Sequence, residues 1–159
     1  MSRKRQLLAE LTDEVRRSQN ATDRFDQAVA DALGVNRTDL RCLDVLEREG
    51  PVTAGRLAAA TGLTTGSITT AIDRLERGGL ARRLRDPSDR RRVLVELEPA
   101  MRERAGRFYE AHMGLSQRLS RRYTEEQIEL LLDFVRQGRE LNEQQAEALE
   151  RENREATGE

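Results

Sequence analysis

The chain has few residues with which to do chemistry. Its 159 positions include one histidine, one cysteine and no tryptophan. A single cysteine, Cys42, excludes an intramolecular disulfide and a multi-cysteine metal site. Catalysis needs nucleophiles, bases or metal ligands that converge, and the sequence offers no such set and no glycine-rich phosphate loop. Its carboxylates are spread along amphipathic stretches, as salt-bridge partners are. These absences argue against an enzyme, and no metal or cofactor is expected. No apolar run approaches the ~20 residues that span a bilayer, and the start Met1-Ser2-Arg3-Lys4-Arg5 lacks the apolar core of a secretory signal. A cytoplasmic protein without a membrane partner is expected.

Charge is balanced overall, with 28 basic against 29 acidic residues, so the chain is no polycation. Its distribution is uneven. Arg82, Arg83, Arg85, Arg90, Arg91 and Arg92 stand against Asp86 and Asp89, a local charge of +4, whereas residues 140–159 hold seven glutamates against Arg151 and Arg154, a local charge of −5. A basic patch in a neutral chain suits contact with a polyanion at one place only. The acidic tail reads as a solvated face.

Periodicity is overwhelmingly helical. Leu8, Leu11, Val15, Ser18, Thr22, Phe25, Val29 and Ala32 recur every three or four residues and end near Gly34. Thr38 is expected to cap a second helix carrying Leu40, Leu43 and Leu46, and Thr53 a short third that stops at Gly62. Thr64 or Thr65 opens a fourth, and Gly78-Gly79 end it. Pro99 starts a fifth, with Met101, Ala105, Phe108, His112, Leu115 and Leu119 in four–three alternation. Thr124-Glu125-Glu126-Gln127 is a capping box for a sixth, whose polar end is expected to fray. The first, fifth and sixth helices are long, and each has one apolar stripe that a small domain cannot bury. They need one another and a second copy of the chain, which predicts a homodimer.

Between Leu84 and Val93 lies Arg85-Asp86-Pro87-Ser88-Asp89-Arg90-Arg91-Arg92. Pro87 presets φ, and the Asp and Ser side chains can bond nearby amides, so 80–84 and 93–97 read as strands of a hairpin with a cationic tip. Upstream, the order short helix, turn at Gly62, longer helix is a helix–turn–helix, whose second helix enters the major groove. Turning that helix by about 100° per residue puts Ile68, Ala71, Ile72 and Leu75 inward and Gly66, Thr69, Thr70, Asp73, Arg74 and Arg77 outward, with Ser67 at the edge. Small hydroxyl residues at the helix start (Thr64, Thr65, Ser67, Thr69, Thr70) allow close approach, bond phosphates and touch the thymine methyl. Arg91, near the turn apex, is the candidate for the minor groove, where negative potential is strongest over A·T-rich DNA. Arg90 and Arg92 are assigned to phosphates, and Asp89 to orienting an arginine through a bidentate pair.

These residues carry a resemblance. Leu57-Ala58, Ser67-Ile68-Thr69, Asp73-Arg74-Leu75, Gly79-Leu80 and Asp86-Pro87-Ser88-Asp89-Arg90-Arg91 resemble the MarR family of bacterial transcription regulators. The resemblance implies a mainly α fold with a small β-hairpin wing: a winged helix–turn–helix at 36–98, flanked by a helical dimerisation region at 1–35 and 99–159. It implies a homodimeric repressor, sometimes an activator, on a pseudo-palindromic operator, with Arg91 in the minor groove. Asp89 would pair with a supporting arginine, and Arg74 would take part at the recognition helix. A small aromatic or phenolic ligand would bind between the dimer helices and the reading module and weaken DNA binding. Many members carry a basic residue after the recognition-helix threonine where this chain has Thr69-Thr70, which leaves fewer charged base contacts.

The regulatory input is written more faintly. Phe25, Phe108, Tyr109 and His112 are the candidates for a ligand pocket. His112 reads either as a hydrogen-bond donor to a carboxylate ligand or a pH-sensitive contact, or as a buried histidine satisfied by a neighbour. Cys42 reads either as a single-cysteine redox sensor, which the resemblance suggests and which the adjacent Arg41 would support by lowering the thiol pKa, or as inert and partly buried. A winged-helix module that binds protein without DNA predicts an apolar or acidic recognition face, against which the basic wing argues.

Overall fold

The computed structural model describes residues 2–157, except for the side chains of residues 105, 106, 109, 111–113 and 157. Six helices and three short strands follow in the order α1 (Arg3–Leu33), α2 (Arg37–Glu49), β1 (Val52–Thr53), α3 (Ala54–Thr61), α4 (Thr65–Arg77), β2 (Ala81–Arg85), β3 (Val93–Leu97), α5 (Pro99–Arg122) and α6 (Glu125–Thr157). The chain divides into two compact units, Met1–Phe108 and Tyr109–Glu159. The first holds the winged helix–turn–helix.

Its core is built where the helical and strand periodicities meet. Leu43, Val45 and Leu46 of α2, Leu57 of α3, and Ile68, Ala71, Ile72 and Leu75 of α4 pack with Leu80, Ala81, Val95, Leu97 and Met101. The apolar positions of α4 are those the helical turn puts inward, so its opposite face is left to solvent. Truncating a leucine as fully buried as Leu46 or Leu57 costs roughly 2–5 kcal/mol. The three strands form an antiparallel sheet in the order β1-β3-β2, with Val52 opposite Val95 and Arg83 opposite Val95 on the other side.

Local chemistry sets the boundaries. Thr53 Oγ1 accepts from the Arg56 amide at 3.2 Å and Thr64 Oγ1 from the Ser67 amide at 3.2 Å, each capping its helix. Gly62, at φ 69°, turns the chain between α3 and α4 in the left-handed region that glycine adopts without strain. In the second unit, Thr124 and Gln127 form the reciprocal capping box: Gln127 Oε1 accepts from the Thr124 amide at 3.0 Å, and Thr124 Oγ1 from the Gln127 amide at 3.4 Å.

Three expectations are corrected, and one strand is added. The cap of α2 is Asn36, not Thr38: Asn36 Oδ1 accepts from the Asp39 amide at 2.8 Å, and the helix starts two residues earlier than Thr38 would allow. The two-residue strand β1 is too short to show a period, and it pairs on the far side of β3. Leu80 precedes β2 and is pinned in the core, its amide donating to Leu75 O at 2.9 Å. The polar end of α6 stays helical to Thr157.

Candidate nucleic-acid interface

The solvent face of α4 carries Thr65, Gly66, Ser67, Thr69, Thr70, Asp73 and Arg77, all exposed. Thr69 and Thr70 donate their hydroxyl protons back to the Thr65 and Gly66 carbonyls at 2.9 and 3.0 Å, which turns oxygen lone pairs and methyl groups outward. Thr64, the cap, also donates to Ser67 Oγ at 2.9 Å. The helix start thus offers small side chains and first-turn amides to an approaching anion. Arg77 stays on the surface, its Nε donating to Asp73 O at 3.2 Å.

Arg74 behaves differently. Its guanidinium is turned onto α2, where Asp39 accepts from Nε at 2.9 Å and from Nη2 at 2.6 Å. The Asp39 side chain is only 4% exposed, so the pair ties the recognition helix to the scaffold. The expectation of an outward Arg74 is corrected: the helical turn places its Cα near the edge of the wet face, and a buried carboxylate within reach draws the long side chain in.

The wing is shaped by its two aspartates. Asp86, 7% exposed, accepts from the Ser88 amide at 2.8 Å, the Ser88 hydroxyl at 2.6 Å and the Asp89 amide at 3.4 Å. The hydroxyl and amide of Ser88 hold its carboxyl below the usual carboxylate range. The Asp86 amide donates to Arg92 O at 3.0 Å and closes the loop. Asp89 takes the Arg91 amide on Oδ1 at 3.0 Å, so it orients the backbone of the tip and not an arginine side chain as expected. Within the wing loop an ion pair forms instead between Asp86 and Arg92, at 3.7 Å. A turn of this tightness needs carboxylates for its own amides before any can serve guanidinium groups.

The six arginines between positions 82 and 92 divide sharply. Arg82 pairs with Glu96 directly across the hairpin at 2.6 Å, and Arg83 with Asp73 at 2.8 Å and with Glu76. Arg92 leans on Asp86. Among the described residues, no carboxylate lies within ion-pair distance of Arg85, Arg90 or Arg91. The base of the hairpin is therefore neutralised and the positive charge is left at its tip, in the geometry of a wing that meets a polyanion.

The MarR family model matches residues 33–92, from the end of α1 through the wing loop. Over 125 residues, 79% of this chain and 81% of the relative, the sequence is 42% identical to YcgE, an HTH-type transcriptional regulator of Bacillus subtilis (strain 168). The chain belongs to the MarR family. Like other MarR proteins it has the fold of a DNA-binding transcriptional regulator, and the family's activity is regulation, not catalysis. The transcriptional regulator BldR from Sulfolobus solfataricus is 26% identical with a TM-score of 0.52, covering 86% of this chain and 96% of its own. NadR, solved in complex with 4-hydroxyphenylacetate, shares the fold at 22% identity and a TM-score of 0.57, over 80% of this chain and 90% of that one.

Of the residues expected to line a ligand pocket in this MarR chain, Phe25 and Phe108 come together. Both are half-buried and pack around Val29, Ala30 and Leu40 in a second, smaller apolar cluster. The side chains of Tyr109 and His112 lie outside the described ones. The redox reading of Cys42 is corrected. Its thiol is fully buried in the main core, and burial, aided by the Asp39 charge, pushes its pKa up to about 11 against the lowering pull of Arg41 and Arg74. Such a thiol stays protonated and out of reach of oxidant. No described helix is long and apolar enough to cross a membrane.

Proposed function

We propose that the protein is a homodimeric, sequence-specific repressor of transcription that binds a pseudo-palindromic operator and is released by a small aromatic or phenolic ligand. Residues 36–98 read the DNA, and the helices of 1–35 and 99–159 join two copies, in the cytoplasm. Helix α4 enters the major groove with Thr65, Ser67, Thr69, Thr70 and Arg77 towards the bases and phosphates. Arg91 enters the minor groove, flanked by Arg90 on phosphate.

The observation that carries this reading is the partition of the wing arginines: Arg82, Arg83 and Arg92 are paired, whereas Arg85, Arg90 and Arg91 have no carboxylate within ion-pair distance among the described residues. Dimerisation is supported by the exposed leucines of α1, Leu7, Leu8 and Leu11, and by the broad apolar exposure of α6. The ligand class is supported by the likeness of fold to NadR, which was solved with 4-hydroxyphenylacetate. Fluorescence anisotropy with duplexes tiled across the DNA upstream of the gene, in the presence of unrelated duplex, tests the reading. Saturable binding that survives competitor is expected. Binding that competitor erases would contradict sequence-specific regulation through this site.

A further inference from the structure

The covalent link between the recognition helix and the wing is short, its glycine amides tied to the last turn of α4, Gly78 N–H donating to Arg74 O and Gly79 N–H to Glu76 O, each at 2.9 Å. It passes through Gly78-Gly79, with Gly79 at φ 63°, before the chain is pinned again at Leu80. The two elements must be presented to adjacent grooves at one angle. Across this link Arg83 reaches back from β2 to α4. Its Nη2 lies 2.8 Å from Asp73 Oδ1, its Nη1 pairs with Glu76 Oε2, and its amide donates to Glu76 Oε1 at 2.9 Å. Asp73 and Glu76 are three residues apart, so both carboxylates stand on one side of the helix facing the strand. Arg82, next in the strand, points to the other face of the hairpin and pairs with Glu96, so it cannot substitute.

We infer that Arg83 is a positioning residue for DNA reading, its fork over Asp73 and Glu76 fixing the angle between recognition helix and wing so that one rigid body serves both grooves. A planar guanidinium bound to two carboxylates resists rotation as a single ion pair on a flexible stem does not. The fork also neutralises Asp73, which lies one turn from Thr69 and Thr70 on the face that meets the duplex. This inference rests on the proposed DNA reading, in which Arg91 contributes from the wing tip.

The test compares how much Arg91→Ala weakens binding in three backgrounds: the parental chain, Arg83→Gln, and Asp73→Asn with Glu76→Gln. The probe is the highest-affinity duplex that the parental protein selects from a random pool, and circular dichroism verifies that each variant is folded. In the parent, Arg91→Ala weakens binding about tenfold. In both latch-broken backgrounds the further loss shrinks to less than about threefold, because a wing no longer held at its angle contributes little for Arg91 to lose. The carboxylate variant retains Arg83, so it carries the test by itself should Arg83→Gln fail to fold. A full tenfold effect of Arg91→Ala in a folded, latch-broken protein overturns the inference and makes Arg83 either a phosphate contact or a purely stabilising residue. A parental protein indifferent to Arg91→Ala marks a different failure, that of the DNA reading itself, and the inference falls with it.

Discussion

Arg74 projects from the recognition helix, but its guanidinium grips the carboxylate of Asp39 on α2 through two hydrogen bonds of 2.9 and 2.6 Å. The two partners are unequally buried, Asp39 at 4% side-chain exposure and Arg74 at 37%. Loss of either one therefore has different consequences. Without Arg74, a buried carboxylate is left without its counter-charge. Without the Asp39 charge, the arginine swings into water.

Arg74→Met is accordingly expected to lower unfolding free energy by roughly 2–4 kcal/mol at neutral pH, and Asp39→Asn by distinctly less. Urea denaturation of the two variants measures this. Equal losses would contradict the asymmetry.

Cys42 makes a second prediction. With its pKa raised from 9.0 to about 11, the folded thiol keeps its proton where the unfolded one loses it. Its contribution to stability is thus fully present below about pH 9 and is lost as pH rises towards 11. Alkaline unfolding should be steeper for the parent than for Cys42→Ala. In the native state at pH 7.5 a maleimide should fail to label the thiol, and peroxide should leave DNA binding unchanged. Rapid labelling of the folded protein would restore the redox reading.

Dimerisation is tested on α6, where Leu130, Val135 and Leu141 are 69%, 62% and 57% exposed in the single chain. Leu131, 43% exposed, lies one helical turn before Val135 on the same stripe, and Leu131→Glu combined with Val135→Glu should raise the dimer dissociation constant on the order of a hundredfold, since each places a charge in an apolar interface. Sedimentation equilibrium reads the outcome. An unchanged dimer would remove α6 from the interface.

The sequence made the reading module legible because its signals there are local. The alternation of Ile68, Ala71, Ile72 and Leu75 sets the inward face of α4, the hydroxyls of Thr53 and Thr64 cap their helices, and Asp86-Pro87-Ser88-Asp89 writes its own turn. The long-range pairs were not legible. Arg74 with Asp39, 35 residues apart, and Arg83 with Asp73, ten apart, depend on how α4 packs against α2 and β2, which no local period encodes. Arginines that read alike in the sequence thus divide into paired ones, Arg82, Arg83 and Arg92, and ones with no described carboxylate partner, Arg85, Arg90 and Arg91. Strand β1 carries no signal of its own for a related reason, being two residues long and defined only by its partner in β3. The cap Asn36 does carry a local signal, an Asn three residues before Asp39 at the head of an apolar stretch.

The most direct measurement of the central claim compares Arg91→Ala with Arg82→Ala by fluorescence anisotropy on the same selected duplex. Both remove one positive charge from the wing. Arg91 has no described carboxylate partner, whereas Arg82 is already committed to Glu96 at 2.6 Å. Arg91→Ala is predicted to weaken specific binding about tenfold and Arg82→Ala less than about twofold. Equal losses in the two variants would show that only the total charge of the wing counts, and would contradict a wing that reads DNA through its free tip.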